Sequence, residues 1–246
     1  EDVMTDTKRL YYEDVYIKEF SAKVVECRKE EKGFQVILDQ SAFYPEGGGQ
    51  PSDLGILGDT AVTDVQEKNG ELIHYVKSEL EPGTEVIGKI DWQRRFDLMQ
   101  QHSGEHIVSG LVHEAYGYNN VGFHMSSDVI TIDFSGVLDE KQLAEIEEKT
   151  NRNIWEDNPV EIFYPDKEEL AALPYRSKKE LTGKIRLVRF PGADLCACCG
   201  THVTHTGEIG MVKILSVENF REGVRVTMIS GKRVLDYLNM VNEQNH

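Results

Sequence analysis

The sequence predicts an α+β protein in two parts, and three observations carry that expectation. Residues 1–90 read as short strands broken by frequent turns, a long proline-free stretch at helical spacing begins at Trp92, and strands and helices alternate from there onward. A length of 246 residues suits one large domain or two small ones. We therefore expect domains at residues 1–90 and 91–246.

In the first part, residues 22–27 and 34–38 are strand-like runs joined by the polar turn Glu30-Glu31-Lys32-Gly33. Residues 61–66 and 71–76 form a second hairpin punctuated by Asn69-Gly70, a strong turn dipeptide. Between the hairpins lies Phe43-Tyr44-Pro45-Glu46-Gly47-Gly48-Gly49-Gln50-Pro51, which fits no regular element. Short strands with frequent turns predict a small barrel. The second part opens with Phe96, Met99, Ile107, Leu111 and Ala115 at three- and four-residue steps or their multiples. That spacing predicts an amphipathic helix of about seven turns over residues 92–116. Residues 121–134 read as strand. Asp139 with Gln142 resembles a capping box opening a second helix, whose inner face carries Leu143, Ile146 and Ile154. Residues 160–164, 184–190, 211–220 and 224–229 are further strands, and a final helix runs from Lys232 to about Glu243.

Composition narrows the function classes. The chain holds 27 Lys+Arg against 43 Asp+Glu, a net charge of −16, so its summed field repels phosphate at long range and argues against a general DNA binder. A phosphate partner has to meet a local basic patch. One such stretch runs from Arg176 to Arg189, where six bases face one acid, and Lys178 and Lys179 are its candidate phosphate contacts. No apolar run approaches the roughly 18–20 residues needed to cross a bilayer, and no secretory signal opens the chain. Three of the four cysteines crowd into residues 196–199, which points to metal or redox chemistry in a reducing compartment, and hence to a cytoplasmic protein.

Two clusters carry the chemistry. His102 and His106 stand four apart on the expected long helix, so both imidazoles project from one face and can reach one zinc ion. The bland alternative is two polar residues on a solvated face. The same window, His102-Ser103-Gly104-Glu105-His106, matches H-x-x-E-H, in which the glutamate is a general base. The second cluster is Cys196-Ala197-Cys198-Cys199-Gly200-Thr201-His202, where Cys198 and His202 repeat the four-residue spacing. Together the two pairs make a tetrahedral set of three nitrogens and one sulfur. The bland alternative here is a group of small buried thiols.

H-x-x-x-H followed about ninety residues later by C-x-x-x-H, within C-x-G-T-H-V and T-G-E-I-G, resembles the editing domain of alanyl-tRNA synthetases. The stretch F-Y-P-E-G-G-G-Q-P-S-D-L-G at residues 43–55 resembles the glycine-rich motif that precedes that domain. With no aminoacylation domain present, the chain is similar to free-standing alanyl-tRNA editing proteins of the AlaX type. The resemblance implies a translation-factor-like β-barrel followed by a threonyl/alanyl-type editing domain. It implies hydrolysis of tRNA(Ala) mischarged with serine, and also with glycine, at a zinc site of His102, His106, Cys198 and His202. It further implies that Gly47, Gly48, Gly49, Gln50 and Asp53 face the substrate and that His124 lines the pocket. Two departures stand out: Glu105 replaces a small hydroxylated residue, and Cys199 replaces a second glycine. Glu105 is accordingly the candidate acid/base. Two other classes fit part of the pattern: a zinc peptidase of the inverted type, which leaves Cys198 and His202 unexplained, and a non-catalytic zinc-stabilised tRNA-binding module.

Overall fold

A computed structural model describes residues 6–177 and 183–246. The chain divides into two compact units, Glu1–Phe96 and Asp97–His246. The first contains β1 (Lys8–Arg9), β2 (Glu19–Glu30), β3 (Gly33–Leu38), β4 (Gln40–Ser41), β5 (Gly55–Leu57), β6 (Thr60–Lys68), β7 (Glu71–Val76) and β8 (Glu85–Ile90). Six of these pair antiparallel in the closed order β2-β3-β7-β6-β5-β8. Alternation along β2 sends Phe20, Ala22 and Val24 inward while their neighbours face out. They meet Val36, Leu38, Leu57, Val65 and Leu72 in the core. Neither β5 nor β8 was foreseen. β5 is only three residues long, and β8 is interrupted by Gly88, where an added Cβ would lie 2.4 Å from the Phe20 ring. The ring itself supplies the packing that a side chain would otherwise give.

The second unit is built around α1 (Trp92–Tyr116), which begins just before the division between the units. The amphipathic reading of this helix needs correction. Every residue from Leu98 to Val112 is buried, so α1 has no solvated face along that length. Its buried stretch nevertheless includes Gln100, Gln101, His102, Ser103, Glu105, His106 and Ser109. Such groups tolerate burial only when partnered. Gln101 does so by bonding both the backbone N–H and C=O of Ser230, 2.8 Å each, which ties α1 to the sheet. Gly104 lets that strand approach closely, since a Cβ there would sit 2.3 Å from Ser230 Oγ.

That sheet has the order β14-β15-β10-β9, built from β9 (Asn120–Met125), β10 (Ile130–Phe134), β14 (Val212–Phe220) and β15 (Gly223–Ser230), all antiparallel. The single strand expected at 121–134 is therefore a hairpin. Ser126 Oγ donates to Val129 O at 2.8 Å and reverses the chain, turn chemistry that the apolar run on either side concealed. Helix α2 (Glu140–Trp155) opens with the expected capping box: Asp139 accepts from the Gln142 N–H and the Gln142 side chain accepts from the Asp139 N–H. A three-stranded sheet, β11-β12-β13, combines β11 (Glu161–Phe163), β12 (Leu187–Phe190) and β13 (Asp194–Ala197). Helices α3 (Lys167–Ala172) and α4 (Lys232–Gln244) complete the unit. No helix among the described residues is long and apolar enough to cross a membrane.

The barrel core also holds a buried polar chain. His74 Nδ1–H donates to Val36 O at 2.9 Å, so Nε2 accepts from Ser41 Oγ at 2.7 Å, and Ser41 Oγ accepts from the Phe43 N–H. Burial lowers His74 from the usual 6.5 to about 4. The unfolded chain therefore binds the extra proton first, and the stability from neutral His74 is full above about pH 6.5 and lost as pH falls toward 4. At 1.36 kcal/mol per unit the amount at stake is about 3 kcal/mol. Equilibrium denaturation of the parent and His74→Gln should show a gap at pH 7 that narrows by pH 4; a gap independent of pH would contradict the assignment.

Candidate functional site

His102 and His106 lie one turn apart on α1, and Cys198 and His202 lie on the loop after β13. The fold brings one ligand atom from each within 4.8 Å of the others. Cys198 Sγ is 3.5 Å from His102 Nε2, and the His202 ring centroid is 4.5 Å from His102 and 4.6 Å from His106. Tetrahedral donors around zinc stand about 3.3–3.8 Å apart, so the cluster is close to the size that one such ion requires. Phe123 stacks on His102 at 5.4 Å, and Phe190 lies 5.4 Å from His106 and 5.5 Å from His202, which screens the imidazoles from water.

The groups of the cluster shift one another's protonation in opposite directions. Burial alone would raise the Cys198 thiol, yet the charges of His102 and His106 hold it well below the usual thiol range. Burial pushes His202 down to about 3, with the His102 charge acting in the same direction. Burial would also lower His106, but Glu105, Cys198 and the Asp194 hydrogen bond together hold it well above the usual histidine range. A thiolate and a neutral imidazole are the donor states that a divalent ion binds. His202 Nε2 is buried, and the Cys198 thiol of the same cluster is the one side chain that interacts with it by hydrogen bonding among the described residues. Such a lone pair, aimed into a cluster of donors, fits a metal ligand.

Neighbouring groups hold three of the four donors. His202 Nδ1 lies 3.2 Å from Ser103 Oγ, which also accepts from the Val203 N–H at 3.2 Å. Arg186 donates from one guanidinium nitrogen to Cys198 O and Gly200 O, 2.8 Å each, while the Gly200 N–H points at Cys198 Sγ at 3.3 Å. His106 Nδ1–H donates to Asp194 Oδ2 at 3.0 Å. Of the rival thiols, Cys196 is buried in a second grouping with His106 and Asp194, and Cys199 is exposed.

Glu105 is wholly buried beside this cluster, its Oε2 3.7 Å from His106 Nε2. Its Oε1 accepts from Asn120 Nδ2 at 2.5 Å and from Ser109 Oγ at 3.2 Å. Ser109 was not singled out in the sequence, although its place four residues along the helix is a same-face spacing that could have found it. Asn120, Asp194, Arg176 and Phe123 carried no local signal, because their proximity arises from chain reversals.

The remaining candidates fall elsewhere. His124 is exposed on β9, where alternation puts it on the face opposite Phe123, so Phe123 rather than His124 meets the cluster. In the first unit, Gly48 and Gly49 are exposed at the tip of a tight turn with φ of 62° and 82°, closed by hydrogen bonds between Gly47 and Gln50. Both angles lie in the left-handed region that favours glycine. Gln50 and Asp53, expected to face substrate, are instead turned inward and buried. Asp53 accepts the Tyr44 N–H at 2.7 Å and pairs with the buried Arg95 guanidinium, which also reaches Ala42 O at 2.7 Å and Val15 O at 3.2 Å.

Lys178 and Lys179 lie outside the described residues. Within the same basic run, Arg176 pairs with Asp194, Arg189 with Glu161, and Arg186 braces backbone carbonyls. The sequence count thus overstates the free charge. Arg225, Lys232 and Arg233 are likewise paired, with Asp133, Asp236 and Asp97.

Comparison with known proteins agrees with the motifs. Residues 1–94 match the class II (A) tRNA synthetases, and residues 185–225 match the threonyl and alanyl tRNA synthetase second additional domain. An alanyl-tRNA editing protein, AlaX-L, from Pyrococcus horikoshii is 35% identical over 95% of this chain and 60% of its own length. Alanyl-tRNA editing protein Aarsd1-A of Xenopus laevis is 35% identical over 92% of this chain and 59% of its own length. The alanine–tRNA ligase of Ignicoccus hospitalis is 36% identical over 94% of this chain and 26% of its own. The chain is therefore similar to alanyl-tRNA editing proteins over most of its length, and spans about three fifths of the two named here.

Breaking a buried pair leaves an uncompensated charge, so Asp53→Ala should cost about 3–5 kcal/mol in denaturant unfolding. A variant as stable as the parent would return Asp53 to the list of free polar groups.

Proposed function

We propose that this chain hydrolyses mischarged tRNA(Ala) in trans, chiefly Ser-tRNA(Ala) and also Gly-tRNA(Ala), at a zinc site of His102, His106, Cys198 and His202. The observation that carries this reading is the convergence of those four buried donors beside a buried carboxylate, Glu105. The similarity to alanyl-tRNA editing proteins supports the substrate class. We read residues 1–90 as a translation-factor-like barrel with the glycine-rich motif, and residues 91–246 as the editing domain. In the barrel, the exposed Gly48-Gly49 tip is the part of the motif open to a ligand. Lys178 and Lys179 are the proposed phosphate contacts, and the cytoplasm is the proposed compartment.

Bound zinc would supply a Lewis acid that acidifies water or orients the aminoacyl group. Glu105 then accepts a proton from the attacking water at Oε2, with Asn120 and Ser109 holding its other oxygen. A bond forms from the water oxygen to the ester carbonyl carbon, the bond to the ribose oxygen breaks, and that oxygen takes the proton back. Such a site answers a limit of synthesis: a pocket shaped for alanine rejects serine only about a hundredfold. A second site that hydrogen-bonds the serine hydroxyl spares alanine, because its polar groups would otherwise be left unpaired.

Deacylation of Ser-tRNA(Ala) should be much faster than that of Ala-tRNA(Ala) and should stop on chelation; equal rates would overturn the reading. Glu105→Gln should lower kcat by 10²–10⁴, the usual contribution of a general base. Cys198→Ala should lose the metal, whereas Cys199→Ala should keep it, as read by metal analysis of the purified variants.

A further inference from the structure

Resting on the zinc reading above, we propose that Asp194, clamped by Arg176, is a positioning residue that orients His106 toward the ion, and that Gly110 is what allows it to come so close. An imidazole presents one nitrogen to a metal only while the other is held as an N–H donor, and a carboxylate partner fixes that choice. His106 Nδ1 lies 3.0 Å from Asp194 Oδ2, which leaves Nε2 for the cluster. The carboxylate is itself immobilised. Arg176 Nε reaches Oδ1 at 2.7 Å and Arg176 Nη2 reaches Oδ2 at 2.8 Å, a fork-to-carboxylate pairing with the Asp194 side chain 1% exposed. The Arg176 backbone is fixed too: its N–H donates to Leu195 O at 2.8 Å and its C=O accepts from the Ala197 N–H at 2.9 Å.

This pairing also explains why His106, Asp194 and Cys196 do not read as a second cation site, although they group together. Both carboxylate oxygens already face a guanidinium, and a cation placed there would sit against that positive charge.

Gly110 supplies independent support. It lies one turn beyond His106 in α1, where a Cβ would come 2.3 Å from Ala193 O and 2.6 Å from Asp194 Cβ. Glycine inside a helix is unfavourable relative to alanine, so its presence calls for a reason. The approach of Asp194 to the helix is the contact that requires it.

The test is zinc affinity by chelator competition at fixed pH, with absorption spectra of the Co²⁺-substituted protein as a second readout. Parent, Asp194→Asn, Gly110→Ala and the exposed control Cys199→Ala are compared. Asp194→Asn and Gly110→Ala should each weaken zinc 10–100-fold and alter the Co²⁺ spectrum, while Cys199→Ala stays within about twofold of the parent. Gly110→Ala keeps every polar group of the network, so it decides the matter even if Asp194→Asn fails to fold. Parent-like zinc affinity in either folded variant overturns the positioning role and leaves the zinc reading intact. A parent that binds no zinc overturns the zinc reading, and this inference with it.

Discussion

Three imidazoles and a thiol face one another in the interior of the second unit, where burial and mutual charge pull their protonation in different directions. The tension shows in their opposite behaviour: the thiol is driven down by the histidine charges, His202 is driven down by burial, and His106 is held up by the anions around it. The single divalent ion proposed above would ease these together, because it would take the buried His202 Nε2 lone pair and balance the thiolate. Much of the surrounding structure follows from that demand. Arg186 shapes the loop that carries Cys198, Ser103 ties that loop to the helix, and Asp194 holds His106.

Helix α1 meets the same demand from the other side. A buried helix is ordinarily apolar all round, yet this one carries polar groups through its most enclosed turns. Three of these polar residues have a defined task. Gln101 replaces a missing strand partner for Ser230, Ser103 receives a loop N–H, and Glu105 is gripped by Ser109 and Asn120. The glycines at 104 and 110 are the complement of this arrangement. They remove side chains where Ser230 and Asp194 press against the helix, so that polar groups on either side reach bonding distance.

The glycine-rich segment of the first unit shows a different division of labour. Its exposed tip is two left-handed glycines, while the polar residues that follow are buried and committed to structure. Asp53 secures Arg95 and the Tyr44 N–H, and Ser41 and His74 secure the approach to Phe43. Motif residues that look like ligand contacts in sequence can thus be the scaffold that shapes a turn. The basic run at 176–189 teaches the same lesson about charge, since Arg176 and Arg186 are occupied inside the fold and Arg189 pairs with Glu161 at the surface.

The sequence by itself determined what depends on local geometry. The helix at 92–116, the capping box at Asp139 and Gln142, the Asn69-Gly70 turn and the two four-residue His/His and Cys/His spacings all follow from neighbours along the chain, where periodicity and cap chemistry act directly. What only the tertiary structure decided depends on contacts between segments distant in sequence. Whether α1 had a wet face, whether 121–134 ran straight or turned back, and which of Phe123 and His124 faced the cluster were questions of packing and register. A one-residue change of register on a strand exchanges every side chain between faces. For the same reason Asp53 and Gln50 gave no sign of being buried, and Asp194 and Asn120 gave none of being near the histidine and cysteine cluster. Asp53 meets Tyr44 and Arg95, Asn120 meets Glu105 and Asp194 meets His106 across 9 to 88 residues of chain, beyond the reach of any local pattern.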